Sequence, residues 1–226
     1  MRWHVYPDHE AASVAVAAKL AEFVLGRPQA TFALPSGNTP KRVYELLVPH
    51  APAFKRVCVF ALDEYLGLPA DDPRSFAAFF REYVFGPLGI EGGRARVLNG
   101  AATDAIREAA QYESMITAYG GLDLTFLGLG GNGHIAFNEP ADVLEAHTHV
   151  AALKPPATEV APQGITMGIG TLFSAPKVLM LATGAKKSQA VRAMLRGPID
   201  PRCPASLLQA HPDAEVFLDT AAAADL

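Results

Sequence analysis

The chain has 226 residues, 50% of them hydrophobic and 19% charged, with a formal net charge of −4. That is ordinary globular composition, enough for one substantial α/β domain and short for two. No basic block or stripe offers nucleic acid a footprint, no apolar run is long enough to span a membrane, and no charged stretch leading into an apolar core marks a signal peptide. Cys58 sits in the apolar run Val57-Cys58-Val59-Phe60 and Cys203 lies between Arg202 and Pro204. Two cysteines in such unlike settings form neither a disulfide framework nor a metal site, which is the usage expected of a reducing cytoplasm.

Strand-like and helix-like segments alternate along the chain. They predict an α/β fold, a single Rossmann-like domain over residues 1–226, with a mostly parallel central sheet and helices on both faces. After a first short strand, residues 10–25 repeat apolar side chains at helical spacing until Gly26-Arg27-Pro28 stops them. Residues 31–34 read as a strand and 40–47 as the helix after its loop. The near-continuous apolar run 56–62 reads as a strand buried on both faces. Helices are expected at 75–84 and 103–119, and a strand at 122–127. Three prolines in 154–163 indicate a loop. Strands follow at 177–182 and 214–218 with a helix, 186–195, between them, and Ala221 to Ala224 read as a frayed tail.

The most informative stretch is Leu127-Gly128-Leu129-Gly130-Gly131-Asn132-Gly133-His134-Ile135-Ala136-Phe137-Asn138-Glu139-Pro140. A strand feeds a glycine-rich turn, which then presents Asn132, His134, Asn138 and Glu139 within eight residues. Glycines there allow positive φ and close approach of a ligand, and the carboxyl end of a strand is where open α/β sheets bind ligands. Gly128, Gly130 and Gly133 also satisfy G-x-G-x-x-G. A dinucleotide site needs a helix opening at the last glycine, and Pro140 comes too soon for one.

Leu34-Pro35-Ser36-Gly37-Asn38-Thr39-Pro40-Lys41 joins a strand to a helix. Thr39 is a good N-cap and Pro40 suits the first helical position. Ser36, Gly37, Asn38 and Thr39 can equally form an anion cradle at the positive end of the helix. Asp63 and Glu64 end the most buried strand and should point in opposite directions, so at most one enters a shared site. A carboxylate at that rim has its pKa raised toward the range of a general base. Gly184-Ala185-Lys186-Lys187 resembles a second strand-to-helix turn, and an anion nearby would offset cations at a helix start. His147 and His149 lack the further ligands a metal site requires.

These motifs resemble the glucosamine-6-phosphate deaminase family, also called glucosamine-6-phosphate isomerase and related to 6-phosphogluconolactonase. The similarity runs from Trp3 to about Asp219. It is carried by 34–40, by Leu62-Asp63-Glu64-Tyr65-Leu66-Gly67-Leu68-Pro69 and above all by Gly-His-Ile-Ala-Phe-Asn-Glu-Pro at 133–140, with weaker marks at 165–171 and 204–212. The resemblance implies ring opening of an aminosugar phosphate, movement of a proton between C2 and C1, and loss of ammonia to give fructose 6-phosphate, with no metal and no redox cofactor. It makes Asp63 the base for the C2 proton and His134 the acid/base that opens the ring. Glu139 orients His134, the residue at 132 completes that group, and Lys187 matches the phosphate lysine. The other readings are a 6-phosphogluconolactonase and a non-catalytic sugar-phosphate sensor. The sensor predicts an attached helix-turn-helix.

Two departures stand out. Many members carry Asp where this chain has Asn132, which can accept a hydrogen bond from His134 without adding charge. Members also have a longer lid with an arginine that contacts the phosphate, whereas no arginine lies between Arg107 and Arg192 and the lid is reduced to 154–163. A small-molecule sugar phosphate is the expected partner, with neither nucleic acid nor membrane. Hyperbolic kinetics and a monomer or small homo-oligomer are expected.

Overall fold

The computed structural model describes residues 1–226. The strands are β1 (Arg2–Tyr6), β2 (Thr31–Leu34), β3 (Cys58–Ala61), β4 (Asp63–Tyr65), β5 (Ala95–Arg96), β6 (Leu124–Gly128), β7 (His149–Ala152), β8 (Gln163–Thr166), β9 (Lys177–Ala182) and β10 (Ala214–Asp219). The helices are α1 (His9–Gly26), α2 (Asn38–Leu47), α3 (Ala51–Phe54), α4 (Phe76–Phe80), α5 (Gly86–Leu88), α6 (Ala105–Ala118), α7 (Ile169–Phe173) and α8 (Ser188–Arg196). Seven strands form one sheet in the order β1-β10-β9-β6-β2-β3-β5, every pair parallel. The α/β class and the parallel sheet are as the sequence predicts.

Strands β2, β3, β6, β9 and β10 are buried almost throughout because helices cover both faces. Val16, Leu20, Val43, Tyr44, Leu47 and Phe80 fill one side. Tyr112, Ile116, Leu172, Val191 and Met194 fill the other. The chain leaves β2 toward β3 on one side, and leaves β6 toward β9 on the other. Since β2 and β6 are neighbours, the strand order reverses between them, and a crevice opens at their carboxyl ends. The two loops singled out in the sequence, 35–37 and 129–139, leave these two strands.

A second sheet, β4-β8-β7, is antiparallel and stands beside that crevice. It modifies the reading of 56–62 as one strand. The main-sheet strand ends at Ala61, and after Leu62 the chain pairs with β8 instead, Asp63 opposite Thr166. Helix α2 begins two residues before the expected start. Its N-cap is Gly37, with φ 107, and neither Thr39 nor Pro40 takes the role expected of it. The turn at Gly37 is one a residue with a Cβ resists. Pro40 falls third in the helix, still among the positions whose amide has no intrahelical partner. Ser75 caps α4, accepting from the Ala78 amide at 3.0 Å, and the helix continues as a π turn over Arg81–Phe85. The tail is not frayed: Ala222 is fully buried and its amide donates to Asp219 Oδ1 at 2.7 Å.

Candidate active site

The crevice holds a cavity of about 860 Å³ lined by all nine residues expected there: Ser36, Gly37, Asn38, Thr39, Asp63, Asn132, His134, Glu139 and Lys187. The turn that feeds it contains no helix between β6 and β7, which removes the dinucleotide reading. Gly130 is there because nothing larger fits: a Cβ would lie 2.4 Å from the His134 ring, which packs flat on the backbone. Gly133 takes φ 88, and Ala136 takes the left-handed φ of 51 that a side chain resists. Asn138 locks this turn. It is 3% exposed, and its Nδ2 donates to the carbonyls of Ile135 at 3.0 Å and Met167 at 2.8 Å. Counted in the sequence with the site's polar groups, it holds the loop instead and does not line the cavity.

Asp63 and Glu64 part company as strand alternation requires. Glu64 turns away from the cavity and accepts from the amides of Tyr65, Phe76 and Ala77 at 2.7–2.9 Å, tying down the start of α4. Asp63 faces the cavity, 7% exposed. Burial, and secondarily the neighbouring Glu64 charge, pushes its pKa up to about 8. No hydrogen bond lowers it. An acid so placed exchanges protons at neutral pH, which suits a general base.

Across the cavity, His134 Nδ1 lies 3.2 Å from Glu139 Oε1, within ion-pair range although off the line of a hydrogen bond. Such contacts are often loose without substrate. Asn132 does not accept from the imidazole, as the sequence suggested. Its Oδ1 takes the His134 backbone N–H at 3.1 Å, and its Nδ2 donates to Glu139 Oε2 at 2.8 Å. The short Asn-Gly-His turn brings the amide to the backbone and leaves the ring to the carboxylate. The nearby imidazole first, then the Asn132 amide and the Lys154 ammonium, hold Glu139 below the usual carboxylate range against the effect of burial.

The start of α2 turns its loop toward the cavity, and Lys187 approaches from the turn after β9, half-buried, its pKa lowered by desolvation. Helix N-terminal amides and an ammonium together make an anion site. His147 and His149 lie elsewhere: His147 Nδ1 faces Glu113 at 3.8 Å, and His149 Nδ1 contacts the His147 carbonyl at 2.9 Å. Sequence reasoning missed an aromatic wall, Tyr65, Phe76 and Phe137, with ring centroids 4.7–5.8 Å apart. Phe137 and Tyr65 stood within the family motifs, but their meeting depends on β4 pairing with β8, which no local pattern announced.

Residues 9–217 match the family described as glucosamine-6-phosphate isomerases/6-phosphogluconolactonase. The chain is 39% identical over 234 residues to a glucosamine-6-phosphate deaminase of Rhodopirellula baltica, covering 97% of this chain and 93% of that one. A solved monomeric glucosamine-6-phosphate deaminase superposes with a TM-score of 0.95 at 32% identity, each chain fully covered. The 6-phosphogluconolactonase of Trypanosoma brucei shares the fold, with a TM-score of 0.82 at 23% identity over 100% of this chain and 98% of that one. A sugar-phosphate enzyme fold with an acid/base crevice thus defines the class. The chain belongs to the glucosamine-6-phosphate isomerase/6-phosphogluconolactonase family.

Proposed function

We propose that the protein is a glucosamine-6-phosphate deaminase, converting glucosamine 6-phosphate and water to fructose 6-phosphate and ammonia. The observation that carries this reading is Asp63, a buried carboxylate with a pKa near 8, in one cavity with the His134–Glu139 pair. Lactone hydrolysis calls for an activated water. It leaves no role for a desolvated base set apart from the histidine.

In this reading the phosphate lies on the Ser36–Thr39 loop and Lys187. His134 gives a proton to the ring oxygen and takes one from the C1 hydroxyl, oriented by Glu139, which Asn132 steadies. Asp63 then removes the C2 proton from the open aldehyde as the imidazolium returns a proton to the C1 oxygen, leaving an enolamine, and Asp63 delivers its proton to C1. The resulting C2 imine adds water and expels ammonia. Burial raises the pKa of Asp63 to about 8, so its ionised form is a stronger base than an ordinary carboxylate, and the aromatic wall keeps bulk water from the reacting carbons.

A monomer or small homo-oligomer fits the full-length match to a monomeric relative. A cytoplasmic location within amino-sugar catabolism fits two free cysteines and the proposed substrate. No helix is long and apolar enough to cross a membrane. The deciding experiment follows ammonia and fructose 6-phosphate from glucosamine 6-phosphate beside hydrolysis of 6-phosphogluconolactone. Turnover of the aminosugar alone is expected; turnover of the lactone alone overturns the reading.

A further inference from the structure

Lys154 opens the shortened lid and is the one cation in it. Its Nζ lies 3.8 Å from Glu139 Oε2. That carboxylate already faces the imidazole through Oε1 at 3.2 Å and accepts from Asn132 through Oε2 at 2.8 Å. One carboxylate therefore faces both the imidazole and the lid ammonium. The segment that follows forms one wall of the cavity through Pro155, Pro156 and Val160. Its two ends are tied by the Leu153 amide, which donates to the Pro162 carbonyl at 3.0 Å. Displacing the segment thus displaces the ammonium from Glu139.

We propose that Lys154 is a positioning residue for ring opening: its ammonium ties the lid to Glu139 and competes with the His134 imidazole for that carboxylate. The inference rests on His134 and Glu139 being the ring-opening pair. The charged groups close to Glu139 are His134 and Lys154, with Asn132 neutral beside them. Asp63 and Lys187, and Glu159 on the lid itself, line the same cavity. When the lid ammonium is removed, Glu139 serves the imidazole alone, and protonated His134 is held more strongly. The limb of the rate profile that this histidine sets then moves to higher pH.

The test compares Lys154→Met, which keeps the stem and loses the charge, with Lys154→Arg, which restores it. The pH profile of kcat/KM for ammonia release is read beside the inhibition constant of fructose 6-phosphate. In the Met variant the alkaline limb, where the proton-donating histidine is lost, should rise by roughly half a pH unit, the scale of a partly exposed ion pair. The Arg variant should return it, and inhibition by fructose 6-phosphate should stay within about twofold in both. An unmoved limb overturns the proposal. So does an inhibition constant raised about tenfold or more in the Met variant, which would make Lys154 a phosphate ligand. Wild-type protein that releases no ammonia would overturn the site reading itself, and this inference with it.

Discussion

Replacing Asp63 by Asn is expected to raise the stability of the fold while removing its activity. The carboxyl group titrates near 8 in the folded chain against an ordinary 3.8, because burial and then the Glu64 charge oppose ionisation. At 1.36 kcal/mol per unit, keeping it ionised in the fold costs about 6 kcal/mol as a ceiling. The folded pKa lies above the unfolded one, so the fold suffers nothing from Asp63 below pH 4. The cost grows from there to about pH 8 and is constant beyond. Asparagine resembles the neutral acid at every pH. The variant should therefore match wild type near pH 4 and gain steadily above it. A domain of this size shifts by about 2–4 °C per kcal/mol, so the melting temperature at pH 8 should rise by on the order of 10 °C. Loss of a general base should cut turnover by about 10² to 10⁴. Thermal unfolding at several pH values, with ammonia release at each, tests both halves. A gap as large at pH 4 as at pH 8, a less stable variant, or near-normal turnover would refute the argument.

Other perturbations address the remaining parts of the site. Gly130→Ala places a methyl 2.4 Å from the His134 ring, so the ring must swing away; kcat should drop by about 10² or more with the far-UV spectrum unchanged, and normal turnover would show that the ring's seat does not matter. Lys187→Ala should raise KM for glucosamine 6-phosphate by about 10- to 100-fold, the scale of a charge-assisted hydrogen bond of roughly 1.5–3 kcal/mol, and an unchanged KM would take this lysine off the phosphate. Asn132→Asp sets a carboxylate where Nδ2 now donates to Glu139 at 2.8 Å. Two carboxylates so close share a proton, so the pH–rate profile should gain an ionisation that wild type lacks, and a superimposable profile would show that position 132 is not coupled to Glu139.

The main sheet was legible because its strands are buried on both faces and so appear as continuous apolar runs, 177–182 being read to the residue. The small sheet was not. β4 is Asp-Glu-Tyr and β7 is His-Val-Ala-Ala, short and mixed in polarity, and what makes them strands is antiparallel pairing with β8. The catalytic candidates were legible because glycines and polar groups crowd the ends of β2, β3 and β6. Their mutual geometry was not: that Asn132 serves Glu139 and the His134 backbone follows from how the turn closes over Gly130. The lid 154–163 was legible as a proline-rich loop, but the partner of Lys154 depends on where that loop comes to rest against the cavity.

In the proposed mechanism one buried carboxylate carries a proton from C2 to C1. Glucosamine 6-phosphate bearing deuterium at C2 tests it directly, with the fructose 6-phosphate formed analysed for deuterium at C1. A base only 7% exposed should deliver part of the label to C1 before solvent exchanges it, in wild type and not in the Asp63→Asn variant. Label lost entirely to water, or fructose 6-phosphate formed as fast by the variant as by wild type, would contradict the central role given to Asp63.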